Sequence, residues 1–287
     1  MATRDDTLFE RFLAPVARLV LNPDDLKQID AAIDWPSALR RLTNPALTYP
    51  SYYQNQSFHG IDGGYLTKDA AVTYDPITQF ALPPNETWVR QGLIDAIRVQ
   101  PRRILDLGCG TGTTTRMLQQ TFPDAEVIGL DLSPPMLAVA EYKARQAGLK
   151  IEWRHGMAEQ TGLPHASVDL IAIALVFHET PAAVARAILR ECFRLLSVGG
   201  EVVVLDGSQQ RLRQMDWLTQ IFEEPYMRDY AASSVDAGMG AAGFGAIQTR
   251  DVWWLYQVTR GVKPRPGELD TTELFADLEA VTSWAVG

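Results

Sequence analysis

Cysteine is scarce in this chain, long apolar runs are missing, and basic charge is in deficit. Each shortage narrows what the protein can be. Of 287 residues only Cys109 and Cys192 are cysteines. A disulfide framework or a CxxC metal site needs more thiols at closer spacing, so no metal is expected and a reducing compartment is the simplest reading. The apolar stretch from Phe9 to Leu21 is interrupted by Arg11, Pro15 and Arg18. A leader peptide or a membrane span requires an unbroken apolar core, so the expectation is a cytoplasmic protein with no membrane span. The formal net charge is −9. Affinity for nucleic acid comes largely from Lys and Arg neutralising phosphates, and here only the short pairs Arg40-Arg41 and Arg102-Arg103 are on offer, so no nucleic-acid partner is expected.

What is present is organised unevenly along the chain. From Thr7 to Leu42 apolar residues recur at helical spacing, broken at Asn22-Pro23 and Trp35-Pro36, which predicts a few short helices. Between Thr43 and Pro84 Tyr, Gly, Asn and Pro accumulate and periodicity is weak. Long loops in compact domains are usually functional, and the aromatics here suggest a lid over something apolar or π-rich. Residues 1–84 thus read as a helical cap followed by an aromatic lid. After Pro84 the pattern alternates: helix Glu86 to Ile97, strand Arg103 to Leu107, helix Thr113 to Gln120, strand Glu126 to Leu130, helix Pro135 to Gln146 and strand Ile151 to Arg154. It continues with strand Val168 to Val176, helix Pro181 to Leu196 and strand Glu201 to Leu205. Such alternation implies an α/β, doubly wound sheet, mostly parallel, with helices on both faces. A polar and aromatic insertion follows from Gly207 to Tyr230, then a Gly- and Ala-rich helical stretch to Gly243. Two strand-like runs, Ala246 to Val252 and Trp253 to Thr259, are compatible with a closing hairpin and bring the strand count to seven. The tail, 264–287, should hold a short helix near Thr272 to Thr282.

The chemistry is concentrated in the first two βα turns. Ile104-Leu105-Asp106-Leu107 runs straight into Gly108-Cys109-Gly110-Thr111-Gly112 and then into a helix. Glycines let backbone approach a ligand closely, and the strand, loop and helix sit where that mechanism needs them. Asp131 ends the next strand, 19 residues beyond Gly112, which suits a ribose diol. In the following turn Ser133 is placed to cap a helix and Met136 to lie against an adenine ring.

The run from Ile104 to Asp131 resembles motif I and its acidic partner in class I S-adenosylmethionine-dependent methyltransferases, and the likeness extends over roughly Glu86 to Asp206. The fold it implies is the Rossmann-like methyltransferase sheet, with residues 85–263 as the donor-binding domain and acceptor-pocket elaboration near 207–243. The cofactor it implies is S-adenosylmethionine, leaving as S-adenosylhomocysteine. By the same resemblance Asp106 with the Gly108 and Gly110 backbone receives the methionine end, and Asp131 holds the ribose. Cys109, Leu132 and Ala174 complete the cofactor-binding set. Met157 stands where the family often has an acid beside adenine, so Met157 and Ala158 are expected to contact the ring through side chain and backbone.

Val176-Phe177-His178-Glu179 resembles the loop after the fourth strand, where donor and acceptor meet. His178 is a candidate general base, because imidazole titrates near neutral pH, and Glu179 a candidate to orient it or cap the next helix. Phe58-His59-Gly60-Ile61-Asp62-Gly63-Gly64-Tyr65 is similar to the lid of some small-molecule and lipid-quinone methyltransferases. It places Tyr65 at the donor and His59 at the acceptor. No Asn/Asp-Pro-Pro-Tyr string follows the fourth strand, which favours a small-molecule acceptor. The composition of the insertion, with Met215, Trp217, Phe222, Tyr226 and Met227, suggests an apolar or aromatic one. Tyr74, Trp88, Trp253 and Trp254 are expected in core or cap packing. Two other readings compete. A nicotinamide-dependent dehydrogenase would use the same sheet, but Thr113 occupies the position of its third glycine. A noncatalytic protein retaining the donor pocket would lack an enclosed acceptor space.

Overall fold

The computed structural model describes residues 23–54, 56, 58, 64–81, 84–215 and 225–266. At its centre is one seven-stranded sheet: β1 (Arg103–Leu107), β2 (Glu126–Asp131), β3 (Glu152–His155), β4 (Val168–Ala174), β5 (Leu196–Gly207), β6 (Gly245–Val252) and β7 (Tyr256–Val262). The strand order is β3-β2-β1-β4-β5-β7-β6. β1 to β5 pair in parallel, and β7 runs antiparallel to both of its neighbours. The late hairpin expected from sequence is therefore present, and it inserts its second strand beside β5.

The side-chain period of two sorts each central strand onto two buried faces. Leu105, Leu107, Ile171, Ile173, Val202 and Val204 belong to one apolar core, and Ile104, Leu170, Ala172, Ala174, Val203 and Leu205 to the other. Helices cover both. Among the described residues, five helices lead up to and into the sheet: α1 (Pro23–Ala32), α2 (Trp35–Leu42), α3 (Ser51–Gln54), α4 (Lys68–Ala81) and α5 (Glu86–Ile94). Four more alternate with the strands: α6 (Thr113–Thr121), α7 (Pro134–Gln146), α8 (Ala182–Leu195) and α9 (Gln209–Gln214). α10 (Met227–Ala232) and α11 (Val235–Ala242) precede β6. A third cluster joins Ile33, Ala38, Leu42, Phe58, Tyr65, Ala71 and Val72 to Met136 through Val139, so the N-terminal helices pack on α7.

Several local expectations differ from the structure. Residues 43–84 are not a bare lid, because α4 occupies Lys68–Ala81 with Pro76 inside it. Burial of its Ala70, Ala71 and Val72 outweighs the proline, whose missing N–H removes one helical bond. β5 begins at Leu196, five residues before the expected Glu201, and carries Gly199 at φ +82 near its start. Trp88, Trp253 and Trp254 are more than half exposed, and Trp88 stacks on Trp253 at 5.7 Å. Among the described residues of the insertion, Met227, Tyr230 and Ala231 are buried in the core beside α8. Trp217, Phe222 and the tail helix lie outside the described residues, and among those described no helix is long and apolar enough to cross a membrane.

Candidate active site

Strand order reverses between β1 and β4, and open α/β sheets bind ligands outside the carboxyl ends of strands at such a point. A cavity open to solvent lies there. Its floor is the loop after β1. Gly108, Gly110 and Gly112 have φ of +67°, +52° and +77°, a region that L side chains rarely adopt. A Cβ on Gly108 would meet Val176 at 2.6 Å, whereas one on Gly110 would meet nothing within 4 Å. The first glycine is needed for packing, and the second leaves open space.

Asp131 closes the floor. Its Oδ2 accepts from the Gly110 N–H at 2.7 Å and its Oδ1 from the Ser133 N–H at 2.8 Å. Ser133 caps α7 through Met136 N–H, and its hydroxyl donates to the Tyr65 carbonyl at 2.6 Å, tying the floor to the roof. Burial pushes the Asp131 carboxyl up to about 6. Asp106 lies beneath the loop, 1% exposed, with Oδ2 accepting from the Thr115 hydroxyl at 2.6 Å while Oδ1 has no partner. Burial pushes this carboxyl up to about 7.

The roof is aromatic. Tyr53, Phe58, Tyr65 and Tyr74 form a chain of ring contacts at 5.3–5.7 Å, Phe58 stacked on Tyr65 and Tyr65 edge-on to Tyr74. Tyr52 extends it, donating to Glu159 at 2.7 Å and held by the Tyr226 hydroxyl at its carbonyl. Burial raises the Tyr52, Tyr53 and Tyr74 hydroxyls, so all three are neutral donors.

The residues singled out by sequence divide into three groups. Tyr65, Gly108, Cys109, Gly110, Asp131, Leu132, Met136, Ala158, Ala174 and Glu179 line the one cavity. Asp106, Met157 and His178 do not line it. His178 is behind the wall: Nδ1 donates to Asp206 Oδ1 at 2.7 Å, and Nε2 is 3.7 Å from Glu179 Oε1, too far for a hydrogen bond. Asp206 also accepts from the backbone N–H groups of Phe177 and His178, fixing the loop. Glu179 is the member of this pair that reaches the cavity, where its carboxylate accepts from the Tyr65 hydroxyl at 2.7 Å. His59 lies outside the described residues.

The sequence reading missed Tyr52, Tyr53, Tyr74, Arg90, Thr111 and Leu175, all of which line the cavity. Leu175 carries a signal that only coordinates show, a φ of +61 in a branched residue, and such strain concentrates at functional loops. None of the described residues in 207–243 lines the cavity, whereas Tyr52, Tyr53, Phe58, Tyr65 and Tyr74 from the N-terminal side do.

Residues 104–200 match a family described as a methyltransferase domain. The demethylmenaquinone methyltransferase of Thermus thermophilus is 39% identical over 119 residues, covering 42% of this chain and 53% of the relative. That of Listeria welshimeri is 31% identical over 192 residues, covering 66% of this chain and 74% of the relative. The first relatives are matched over little more than half their length. Among solved structures, human N-acetylserotonin methyltransferase in complex with S-adenosylmethionine superposes with a TM-score of 0.55 at 17% identity, over 70% of this chain and 58% of that one. An S-adenosylmethionine-dependent methyltransferase from Aquifex aeolicus gives 0.52 at 18% identity, over 68% and 97%. At those identities the likeness is one of fold.

Proposed function

Because the chain belongs to the class I S-adenosylmethionine-dependent methyltransferases, we propose that it methylates a small, planar, largely apolar acceptor of the quinone or quinol type. The observation that carries this reading is the aromatic roof set directly over the glycine-rich floor within one cavity. Flat rings stack on flat rings, and offset or edge contacts with Tyr and Phe favour an aromatic acceptor over an aliphatic one. The name of the curated relatives points the same way, since demethylmenaquinone is a quinone.

S-adenosylmethionine supplies an electrophilic methyl on a sulfonium and is left as a neutral thioether. The chain's residues fit it on two counts: Asp106 keeps a buried acceptor without a partner, and the space over Gly110 is open. Asp131 would hold the ribose hydroxyls, with Leu132, Met136 and Ala158 against the adenine and the backbone of Ala174 beside the reacting end. The rings of Tyr65 and Phe58 would exclude water and orient the acceptor, and positioning of this kind can supply most of the acceleration.

Glu179 is the group that would take the proton given up by an acceptor hydroxyl or acidic carbon as it gains the methyl. The Tyr65 hydroxyl holds its carboxylate in place. His178 acts one step back as a positioning residue, locked by Asp206. The test is transfer of labelled methyl to a panel of hydroxylated naphthalene and benzene rings set against aliphatic amines, run after titration with S-adenosylhomocysteine. Methylation of the fused rings is the expected result, and transfer confined to aliphatic amines would overturn the acceptor assignment.

A further inference from the structure

The chain has a net charge of −9 and no basic run stands out along it, yet the fold gathers three arginines that are distant in sequence. Arg98, Arg250 and Arg260 line one cleft open to solvent, with Gln248 and Val258 beside them. The antiparallel register explains two of the three. Gln248 is opposite Arg260 across β6 and β7, and Arg250 is opposite Val258. Opposed and alternate residues share a face of the sheet, so Arg250 and Arg260 are diagonal neighbours on the same face. Arg98, between α5 and β1, completes the lining. None of these residues lines the cavity over the glycine-rich loop.

What these guanidiniums bond is mostly backbone. Arg98 Nη1 donates to the Asp95 and Ile97 carbonyls at 2.8 and 3.1 Å, and Arg250 Nη2 to the Gly92 carbonyl at 3.0 Å. Such bonds suit cations at the carboxyl end of a helix, here α5. Among the described residues Glu201 is the carboxylate that joins the cluster, accepting from Arg260 Nη2 at Oε1 and from the Arg98 N–H at Oε2 over 2.9 Å. The Asp95 carboxylate takes the Gln91 amide instead. Capping α5 therefore accounts for one terminal nitrogen each of Arg98 and Arg250. Their other terminal nitrogens and Nε atoms have no partner among the described residues, and the Arg260 Nε is buried without one. Three cations around a single carboxylate repel one another, and an anion entering the cleft offsets that repulsion.

We propose that this cleft is a second ligand site, separate from the methyl-transfer cavity, and that it binds a compact oxyanion of the phosphate or diphosphate type. Arg98 and Arg250 supply the N–H donors, Gln248 a neutral donor beside them, and Arg260 adds its charge from behind. A phosphate presents several oxygens at once, and the planar guanidinium fork meets two of them in parallel, which a lysine cannot do. A single carboxylate would leave more of the positive charge unanswered.

Calorimetric titration of the full chain with inorganic phosphate, pyrophosphate and acetate tests it. Saturable binding is expected for the first two, tighter for pyrophosphate, and none for acetate. Arg98→Gln and Arg250→Gln each remove an exposed cation whose side chain bonds only backbone carbonyls, so both variants should fold. Each should weaken pyrophosphate about 10-fold or more, the range of a lost charge-assisted bond. Arg40→Gln, which removes an exposed charge on α2, should leave pyrophosphate affinity within about twofold. Sedimentation with phosphatidylcholine vesicles carrying phosphatidate separates the two sources of a phosphate. No capture of the parent is expected for a free anion, whereas capture that the Arg98→Gln/Arg250→Gln double variant loses would place the same phosphate on a lipid headgroup. Failure of the parent to bind either phosphate, undiminished binding in both cleft variants, or an equal loss in Arg40→Gln would overturn the site.

Discussion

Asp106 and Asp131 are carboxylates that burial holds at about 7 and about 6, well above the ordinary value near 4. Between pH 4 and 7 the folded chain therefore keeps protons that an unfolded chain has released, and stability falls as pH rises through that window. A cation arriving at Asp106 favours the ionised form and reverses the cost. Asp106→Asn should thus raise the stability of the ligand-free protein at pH 8 by on the order of 1–3 kcal/mol, a gain that shrinks toward pH 5. The same change should weaken S-adenosylhomocysteine by about 10-fold or more. Thermal melts at both pH values check the first half, and a variant less stable than its parent at pH 8 would contradict it. Glu179→Gln is the complementary case. It keeps the shape and the bond to Tyr65 but removes the base, so turnover should drop by about 100-fold with donor affinity nearly intact. A matching loss of donor affinity would move Glu179 from proton transfer to donor binding. At this scale the motif residues were legible because glycines and a strand-terminal acid have few other uses in that order. Arg90 and Tyr74 were not, since a helical Arg and a tyrosine mean nothing until the fold turns them toward a cavity.

The N-terminal helices are held to the sheet by a small number of polar ties, and one of them titrates. His155, at the end of β3, accepts the Asn44 N–H at Nδ1 over 2.9 Å while Nε2 faces the Leu132 carbonyl at 3.1 Å. Both contacts can be made only by the neutral ring with its proton on Nε2. Burial accordingly lowers its pKa from the ordinary value. The contribution is complete above the unfolded value near 6.5 and is lost as pH falls through the folded one. The protection factor of the Asn44 amide, its exchange rate corrected for the base-catalysed intrinsic rate, should therefore fall on acidification well before global unfolding, and a His155→Phe variant should show low protection at every pH. A protection factor that is independent of pH in the parent would remove His155 from that role. The elements themselves divide by what stabilises them. β1, β4 and β5 were legible because both faces are buried, so their apolar runs are nearly continuous. α4 was not. Pro76 breaks its pattern, and its position depends on Asp75 bonding Lys143 and Thr111, residues 68 and 36 positions away. Tertiary ties of that span leave no local trace, and the same holds for the exposed tryptophans, whose apolarity alone implied burial.

On the scale of the whole molecule the chain is a roof and a floor that meet across one cavity. The roof, from α1 to α4, packs on α7 through Met136 to Val139 and touches the site through Tyr52, Tyr53, Phe58, Tyr65 and Tyr74. The floor is the loop after β1 with Asp131. The Ser133 hydroxyl to the Tyr65 carbonyl, the Thr111 hydroxyl to Asp75 and the Tyr65 hydroxyl to Glu179 tie the roof to the walls and floor of the cavity, and a ligand filling the space between adds contacts to both at once. Anything that binds the folded state alone stabilises it by mass action, about 2.7 kcal/mol at a hundredfold excess over Kd. Local opening of the least stable part should be suppressed most. Saturating S-adenosylhomocysteine should accordingly slow hydrogen exchange in two separate stretches, 51–81 and 106–115, by a larger factor than in β5 or β7. The roof stretch should respond although it lies outside the glycine-rich motif. Protection confined to the floor would mean that the aromatic roof does not close on the donor, and that Phe58 and Tyr65 serve the acceptor alone.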